Sequence, residues 1–566
     1  MYYSNGIRFS VTDLSPPLSR ILPTVHVYRV DLSLYEVQFD PVTGAKRPIP
    51  KTVMDDVVAA LLRFKLVCAD FGVPERNIHV LATEATRGAI NSAEFVRTIN
   101  SEAGLQVDML KKEDEGRIGA LGVASGFSDI EGIMMDLGGG STQITWIISR
   151  GGNVRISEKG SLSFPYGAAA LTRKIEEVKK GKSKKEADDA LEHLGDKMVA
   201  EFQQAYRDLA LPEGLVESAK ANKGFQLYLS GGGFRGWGYL LLYMSEIGKN
   251  PHPISIINGY TVDRERFENT EAMEEVARNA RSVFRVSDRR RKQVPAVAFL
   301  INVLSRAFPH GIRNAHFCQG GVREGFLFRE LPPSIRLQDP LEVATQLVAP
   351  PSTDAIYRLL LFSIPKPLES GHRRFPASID SHVLRAFTNV LYVHGIMDKE
   401  TASTAALYST SAGLMASTHG VSHEDRARLA LMLESRYMGE LPPREMRFRD
   451  ELRRLITPEE VWWTGYLGRV GYLTSRLYPS GRVDEFKPRV VYSAEWAGDL
   501  GSKRNKDGLR LVISIQKVKD DPSKLKEALT DHVGIVEKAG KKKNWPGGEE
   551  GWGMKVRVVV VEEDIL

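Results

Sequence analysis

An aspartate that ends an apolar strand, followed at once by three glycines and a Ser-Thr pair, constrains this chain more than any other feature. The segment reads Asp136-Leu137-Gly138-Gly139-Gly140-Ser141-Thr142-Gln143. Strand-like stretches flank it, Gly132 to Asp136 and Gln143 to Ile148, so the spacing predicts strand, tight loop, strand. Consecutive glycines let such a loop approach an anion closely, and their N–H groups can point at phosphate oxygens. Ser141 and Thr142 add hydroxyl donors, and Asp136 can hold a divalent cation directly or through water. The plainer alternative is a glycine-rich hairpin with an acidic end. The Asp and the Ser-Thr pair tilt the balance, and phosphate binding is expected at Gly138, Gly139, Gly140, Ser141 and Thr142.

The composition suits a globular chain. Of 566 residues, 42% are hydrophobic and 26% charged, which excludes a disordered chain. The 50 glycines have no three-residue period, which excludes collagen. Cys68 and Cys318 are the only cysteines, so no disulfide scaffold is built and a reducing compartment is expected. With 77 Lys and Arg against 71 Asp and Glu, the net charge of +6 permits acidic ligands without demanding nucleic acid. The longest apolar run, Val294 to Leu304, is too short to cross a bilayer. The N-terminus has no basic region leading into an apolar core. A cytoplasmic location without membrane attachment is the expectation.

Strand and helix signals alternate over residues 1–150 and again over 151–335, as in α/β layers. A Pro-rich stretch from Leu331 to Pro340 predicts a boundary. Residues 341–478 read as a helical domain, with helices expected at Arg426 to Tyr437 and Glu459 to Leu473. Residues 489–566 read as a small α+β domain: strand Leu509 to Gln516, helix Ser523 to Ala539, strand Met554 to Glu562.

Four more segments carry possible chemistry. In Ser230-Gly231-Gly232-Gly233-Phe234-Arg235-Gly236 a strand runs into a Gly turn and a helix, a geometry that offers N–H groups to an anion or nucleotide. A ligand-free tight turn is equally compatible. Ser4-Asn5-Gly6-Ile7-Arg8 is a polar turn entering a strand, by itself a surface turn. Glu113-Asp114-Glu115-Gly116-Arg117 reads as helix capping, or as the source of a carboxylate that orients water. Ala82-Thr83-Glu84-Ala85-Thr86-Arg87, with Asn91 beyond, places an Arg after a strand, where it can clamp phosphate or stay structural. The basic runs Lys179–Lys185, Arg289–Lys292 and Lys541–Lys543 read first as solvated faces. Trp462 and Trp463 read as core.

In their order and spacing these segments resemble the exopolyphosphatase and guanosine-pentaphosphate phosphatase (Ppx/GppA) family. The matching residues are Ser4 to Arg8, Ala82 to Asn91, Asp114 to Arg117, Asp136 to Gln143 and Gly321 to Gly325. The resemblance implies an α/β fold of two actin/Hsp70-like, ribonuclease H-like lobes, followed by the helical region and the α+β domain. It implies that Ser4, Asn5, Gly6 and Arg8 hold a phosphate from one side and Gly138 to Thr142 from the other. Gly231, Gly232 and Gly233 would add nucleotide contacts, and Arg87 would neutralise charge. Asp136 would hold Mg2+, and Glu115, close to Arg117, would orient the attacking water. ATP or another phosphorylated nucleotide, or polyphosphate, is the implied ligand. A sugar-kinase-like phosphotransferase is a distant alternative without an identifiable sugar pocket.

Gly420 to Pro443 and Pro458 to Trp463 resemble a fungal group of retrograde regulators. That likeness implies mitochondria-to-nucleus signalling and docking to an inhibitor of the retrograde transcription factors; a homodimer is left open. Three departures bear on activity. Only Met1-Tyr2-Tyr3 precedes Ser4, where the family has a strand ending in Asp-x-Gly, so that strand is expected to be missing. Gln143 stands where the enzymes carry Glu, and an amide neither accepts a proton nor holds a metal as a carboxylate does. No His-Asp doublet occurs, so hydrolysis by the helical region is not expected.

Overall fold

The computed structural model describes residues 6–40, 43–367, 375–413, 415–501, 506–516, 529 and 532–563. Ser4 and Asn5 lie outside them, as do residues 523–528, 530 and 531 of the helix expected from Ser523 to Ala539. The chain divides into two units, Met1–Pro251 with Ile256–Gln338, and His252–Ser255 with Asp339–Leu566.

The first unit holds eleven of the described strands. They are β1 (Ile7–Thr12), β2 (Thr24–Val30), β3 (Val80–Ala82), β4 (Val107–Met109), β5 (Ile130–Leu137), β6 (Thr142–Arg150), β7 (Asn153–Ile156), β8 (Leu162–Phe164), β9 (Phe225–Ser230), β10 (Tyr260–Asp263) and β11 (Ile312–Phe317). Its main sheet runs β10-β11-β9-β5-β6-β7, with β8 also on β6. Pairing is parallel between β5 and β9 and between β9 and β11, and antiparallel between β5 and β6. Nearly every residue of β5 and β6 is buried, which explains their unbroken apolar runs.

The helices used below are α1 (Lys51–Asp70), α2 (Lys112–Ala124), α3 (Ala168–Lys179), α4 (Gly231–Ile247), α5 (Asp288–Ala307) and α6 (Val322–Glu330). α1 forms because Met54, Val57, Leu61, Phe64 and Cys68 recur at helical spacing and bury one face. No described helix is long and apolar enough to cross a membrane.

The division expected at residue 150 does not match the sheet. β5 and β6 lie before it, yet they pair with β9, β7 and β8 after it. Among the described residues the first half keeps two pairs apart from that sheet, β1-β2 and β3-β4. Backbone pairing follows spatial neighbours, and the β5–β9 ladder crosses the point where the alternation restarts.

In the second unit the helical stretch and the C-terminal strands, expected as two domains, share one core. Leu384, Phe387, Trp462, Trp463 and Tyr466 pack in the same cluster as Val490, Leu509, Leu511 and Ile513. The helices needed below are α7 (His423–Tyr437), α8 (Pro443–Arg453) and α9 (Pro458–Leu477). α9 begins with a Thr457–Glu460 capping box and Pro458 in its first turn. Strand β12 (Val490–Leu500), which the sequence reading does not separate, pairs with β13 (Lys506–Gln516), and β13 pairs with β14 (Lys555–Glu563).

Candidate functional site

Parallel pairing of β5 with β9 sets Asp136 opposite Ser230. Both glycine segments therefore leave the same edge of the sheet, at the carboxyl ends of neighbouring parallel strands, where ligands of open α/β sheets collect. A cavity of about 1200 Å³ opens there. Gly138, Gly139, Gly140, Ser141, Gly231 and Gly232 line it, together with Gly6, Arg8, Glu115 and Asp136.

The loop after β5 is held by its carbonyls. The Gly138 N–H donates to the Ser141 carbonyl at 3.0 Å, and the Ala168, Ala169 and Ala170 N–H groups donate to the Gly138 and Gly139 carbonyls at 2.9 to 3.0 Å. These donors start α3. A trans peptide sets N–H opposite C=O, so the Gly139 and Gly140 N–H groups point away from α3 along a loop that lines the cavity. In the second segment Gly231 has φ of +88°, and a Cβ there would lie 2.4 Å from the Leu137 carbonyl oxygen. Glycine is required at that step.

Three expected binders sit elsewhere. Thr142 is buried in β6 and its hydroxyl donates to the Tyr166 carbonyl at 2.8 Å; the two-residue alternation of the strand turns it away from the cavity. Gly233 packs on the Leu137 side chain and does not line the cavity. Arg87 does not line it either. Its Nη2 donates to Glu84 at 2.7 Å and to Glu115 at 3.1 Å, and its Nη1 donates to the Leu110 carbonyl. Arg87 thus positions carboxylates, and it takes the place expected for Arg117, which is exposed on α2.

α2 turns Asp114 outward and Glu115 inward, with 12% of the Glu115 side chain exposed. Burial pushes the Glu115 carboxyl up to about 6. Arg87 opposes this, while the charges of Asp136 and Glu84 add to it. Burial also raises the Asp136 carboxyl, against Arg235, the Ser230 hydroxyl and Arg8. Arg8 is open to the cavity yet enclosed by protein. That enclosure and the charge of Arg235 lower its pKa, Glu324 resists, and Arg323 and Arg29 add to the lowering. Gln143 lines the cavity, and its amide donates to the Ser141 hydroxyl at 3.2 Å.

Two arginines beyond Arg8 and Arg87, Arg235 and Arg290, were not expected at the site. Arg235 is 8% exposed, lines the cavity, and donates to the Gln319 carbonyl at 3.1 Å. It sat inside the quoted glycine segment, one helical turn past Gly231, and that spacing was the available signal. Arg290 belongs to a basic run expected to be solvated, but it is 5% exposed and feels Arg235, Arg8, Arg29 and Arg289.

No group of three or more His, Cys, Asp or Glu able to hold a metal occurs among the described residues. Mg2+ carried by a phosphate chain keeps most of its water and takes one or two protein carboxylates. Asp136, with Glu115 near enough to feel its charge, fits that demand.

Residues 17–334 match the Ppx/GppA phosphatase family, and residues 339–563 match the RTG2 C-terminal domain. The chain is 39% identical over 499 residues to retrograde regulation protein 2 of Saccharomyces cerevisiae, covering 85% of this chain and 80% of that one. Over 133 residues it is 30% identical to exopolyphosphatase 1 of Mycobacterium leprae, 23% of this chain and 37% of the relative. A solved Ppx/GppA family member from Aquifex aeolicus shares 20% identity at a TM-score of 0.43, over 58% of this chain and 95% of that one.

Proposed function

The chain belongs to the Ppx/GppA phosphatase family and is a homologue of retrograde regulation protein 2, and from that premise we propose that its first unit senses a phosphorylated ligand. The ligand is a nucleotide or a polyphosphate end, and its occupancy is reported to a regulatory protein in mitochondria-to-nucleus signalling. The partner is an inhibitor of the retrograde transcription factors, met in the cytoplasm. One observation carries the reading: the Gly138–Ser141 loop, Arg8 and Arg235 meet around a single cavity. Backbone N–H groups and guanidinium forks are the donors that phosphate oxygens prefer.

The chain's own residues would act as follows. The loop N–H groups hold the terminal phosphate, and Arg8 and Arg235 offset its charge. Arg87 keeps Glu115 aimed inward. Bound at Asp136 with the phosphate chain, magnesium would supply further charge neutralisation. Gln143 supports sensing over rapid turnover, because a neutral amide stands among the cavity's donors where the family's enzymes carry a carboxylate.

A second reading, a working phosphoanhydride hydrolase, is favoured by Glu115. A buried carboxylate with a pKa near 6 is poised to take a proton from water. Titration of the purified protein with ATP, polyphosphate and guanosine pentaphosphate, with magnesium and with phosphate release followed, separates the two. Sensing predicts saturable binding without release, weakened about 10- to 100-fold in Arg235→Ala. Affinity unchanged in Arg235→Ala sinks the proposal. Release that disappears in Glu115→Gln establishes the hydrolase.

A further inference from the structure

The second unit has a cavity of its own, of about 680 Å³. It lies where the C-terminal end of α7, the helix α8, the first half of α9 and the turn at residues 543–547 meet. Its charges do not balance. Arg449, Arg453, Arg469 and Lys543 line it, against two carboxylates, Glu434 and Asp450.

Both carboxylates are already engaged. Glu434 takes Arg449 at 3.5 Å, and Asp450 takes Arg453 at 3.1 Å. Arg469 is largely buried, and among the described residues its Nη1 donates only back along its own helix, to the Gly465 carbonyl at 2.9 Å. The Nε atoms of Arg449, Arg453 and Arg469 are buried with no hydrogen-bond partner among the described residues, and so is the indole nitrogen of Trp545. Buried donors without acceptors are costly, and charged ones cost most. Burial lowers the pKa of Arg453 and of Arg469; the charge of Arg449 adds to the lowering at Arg453, and Arg453 adds to it at Arg469, while Glu434 resists at both. An anion in the cavity would offset the charge that these guanidinium groups bring together.

We propose that this cavity is a second ligand site, which binds a small phosphorylated molecule carrying at least two negative charges. Guanidinium forks match phosphate oxygens in pairs. The volume lies within the range of small-molecule pockets. The partly exposed indole of Trp545 lines the cavity as well and gives a nucleobase an apolar surface to rest on. Lys543, the end of the basic run Lys541–Lys543, stands exposed at the rim, where a cation attracts an anion before it docks. The site is independent of the reading given for the first unit.

The test uses the full chain carrying Arg235→Ala, which weakens the first-unit cavity and leaves this one intact. Calorimetric titration with pyrophosphate and, separately, with ATP is expected to show one equivalent bound. Affinity is expected to fall at least about tenfold when Arg469→Gln or Lys543→Glu is added. ATP binding more tightly than pyrophosphate identifies a nucleotide; equal binding identifies the phosphates alone. Should Arg469→Gln fail to fold, Lys543→Glu at the exposed rim still decides, as does Trp545→Phe, which should remove a ligand-induced change in fluorescence. Absence of binding by both ligands at millimolar concentration, or affinity unmoved by Lys543→Glu and Arg469→Gln, overturns the proposal. Equal binding by the Arg235→Ala protein and its parent would count against the first-unit reading while leaving this one standing.

Discussion

Glu115 is where a single proton matters most. Its carboxyl is raised from 4.5 to about 6, so the folded protein holds that proton more tightly than the unfolded chain does. The folded state therefore gains from protonation below the ordinary value, and the gain is lost as pH rises through about 6. The full swing is of order 2 kcal/mol, and Glu115→Gln should remove it from the pH dependence of chemical denaturation. Binding and turnover should respond in opposite senses. Below about pH 6 the neutral carboxyl no longer repels an anion, so affinity for pyrophosphate should rise several-fold, while any phosphate release should decline. A pH profile of affinity that is the same in Glu115→Gln as in the parent would show that this carboxyl does not face the ligand.

At the scale of elements, the carboxylate depends on how closely two helices pack. α2, which carries Glu115, lies against α6 through glycines. A Cβ at Gly325 would lie 1.7 Å from the Ile118 carbonyl oxygen, and one at Gly122 would lie 2.0 Å from the Gly321 carbonyl oxygen. Backbone cannot give way as a side chain can, so Gly325→Ala must push the helices apart. A loss of about 2 to 4 kcal/mol is expected in thermal unfolding, together with a drift of the Glu115-dependent pH midpoint toward the ordinary value as water enters. An unchanged melting temperature would contradict this packing. The Gly321–Gly325 stretch, which first stands out as part of a family resemblance, is thus a spacing device.

At the scale of the molecule, the two units have separate cores. The first centres on the main sheet with Trp237 and Leu240; the second gathers Trp462, Trp463 and Tyr466 with the C-terminal strands. Trp463 is 0% exposed, and Trp463→Ala should cost the second unit about 3 to 5 kcal/mol. Differential scanning calorimetry should show one transition lowered and another in place, and the Arg235-dependent part of phosphate affinity should not change. A single transition that moves as a whole would mean that the units unfold together.

What the sequence by itself determined is the chemistry of short segments. The choice of Glu115 over Asp114 came from the family resemblance, whereas the Asp136–Ser141 loop and the Ser230–Gly232 turn were legible because strand ends and glycine runs are local patterns. Their physical consequences act within a few residues. The β5–β9 register, the arginines around Asp136, the pairing of Arg87 with Glu115 and the merging of helical and strand regions into one core were decided only by tertiary structure. Each joins residues far apart along the chain: Arg8 and Arg235 are separated by most of the first unit, and Arg453 approaches Lys543 only because α8 and the 543–547 turn close on one cavity. Charge and burial are properties of a place in the fold, so an arginine that reads as solvated along the chain becomes a buried charge beside a cavity only when the folded chain encloses it.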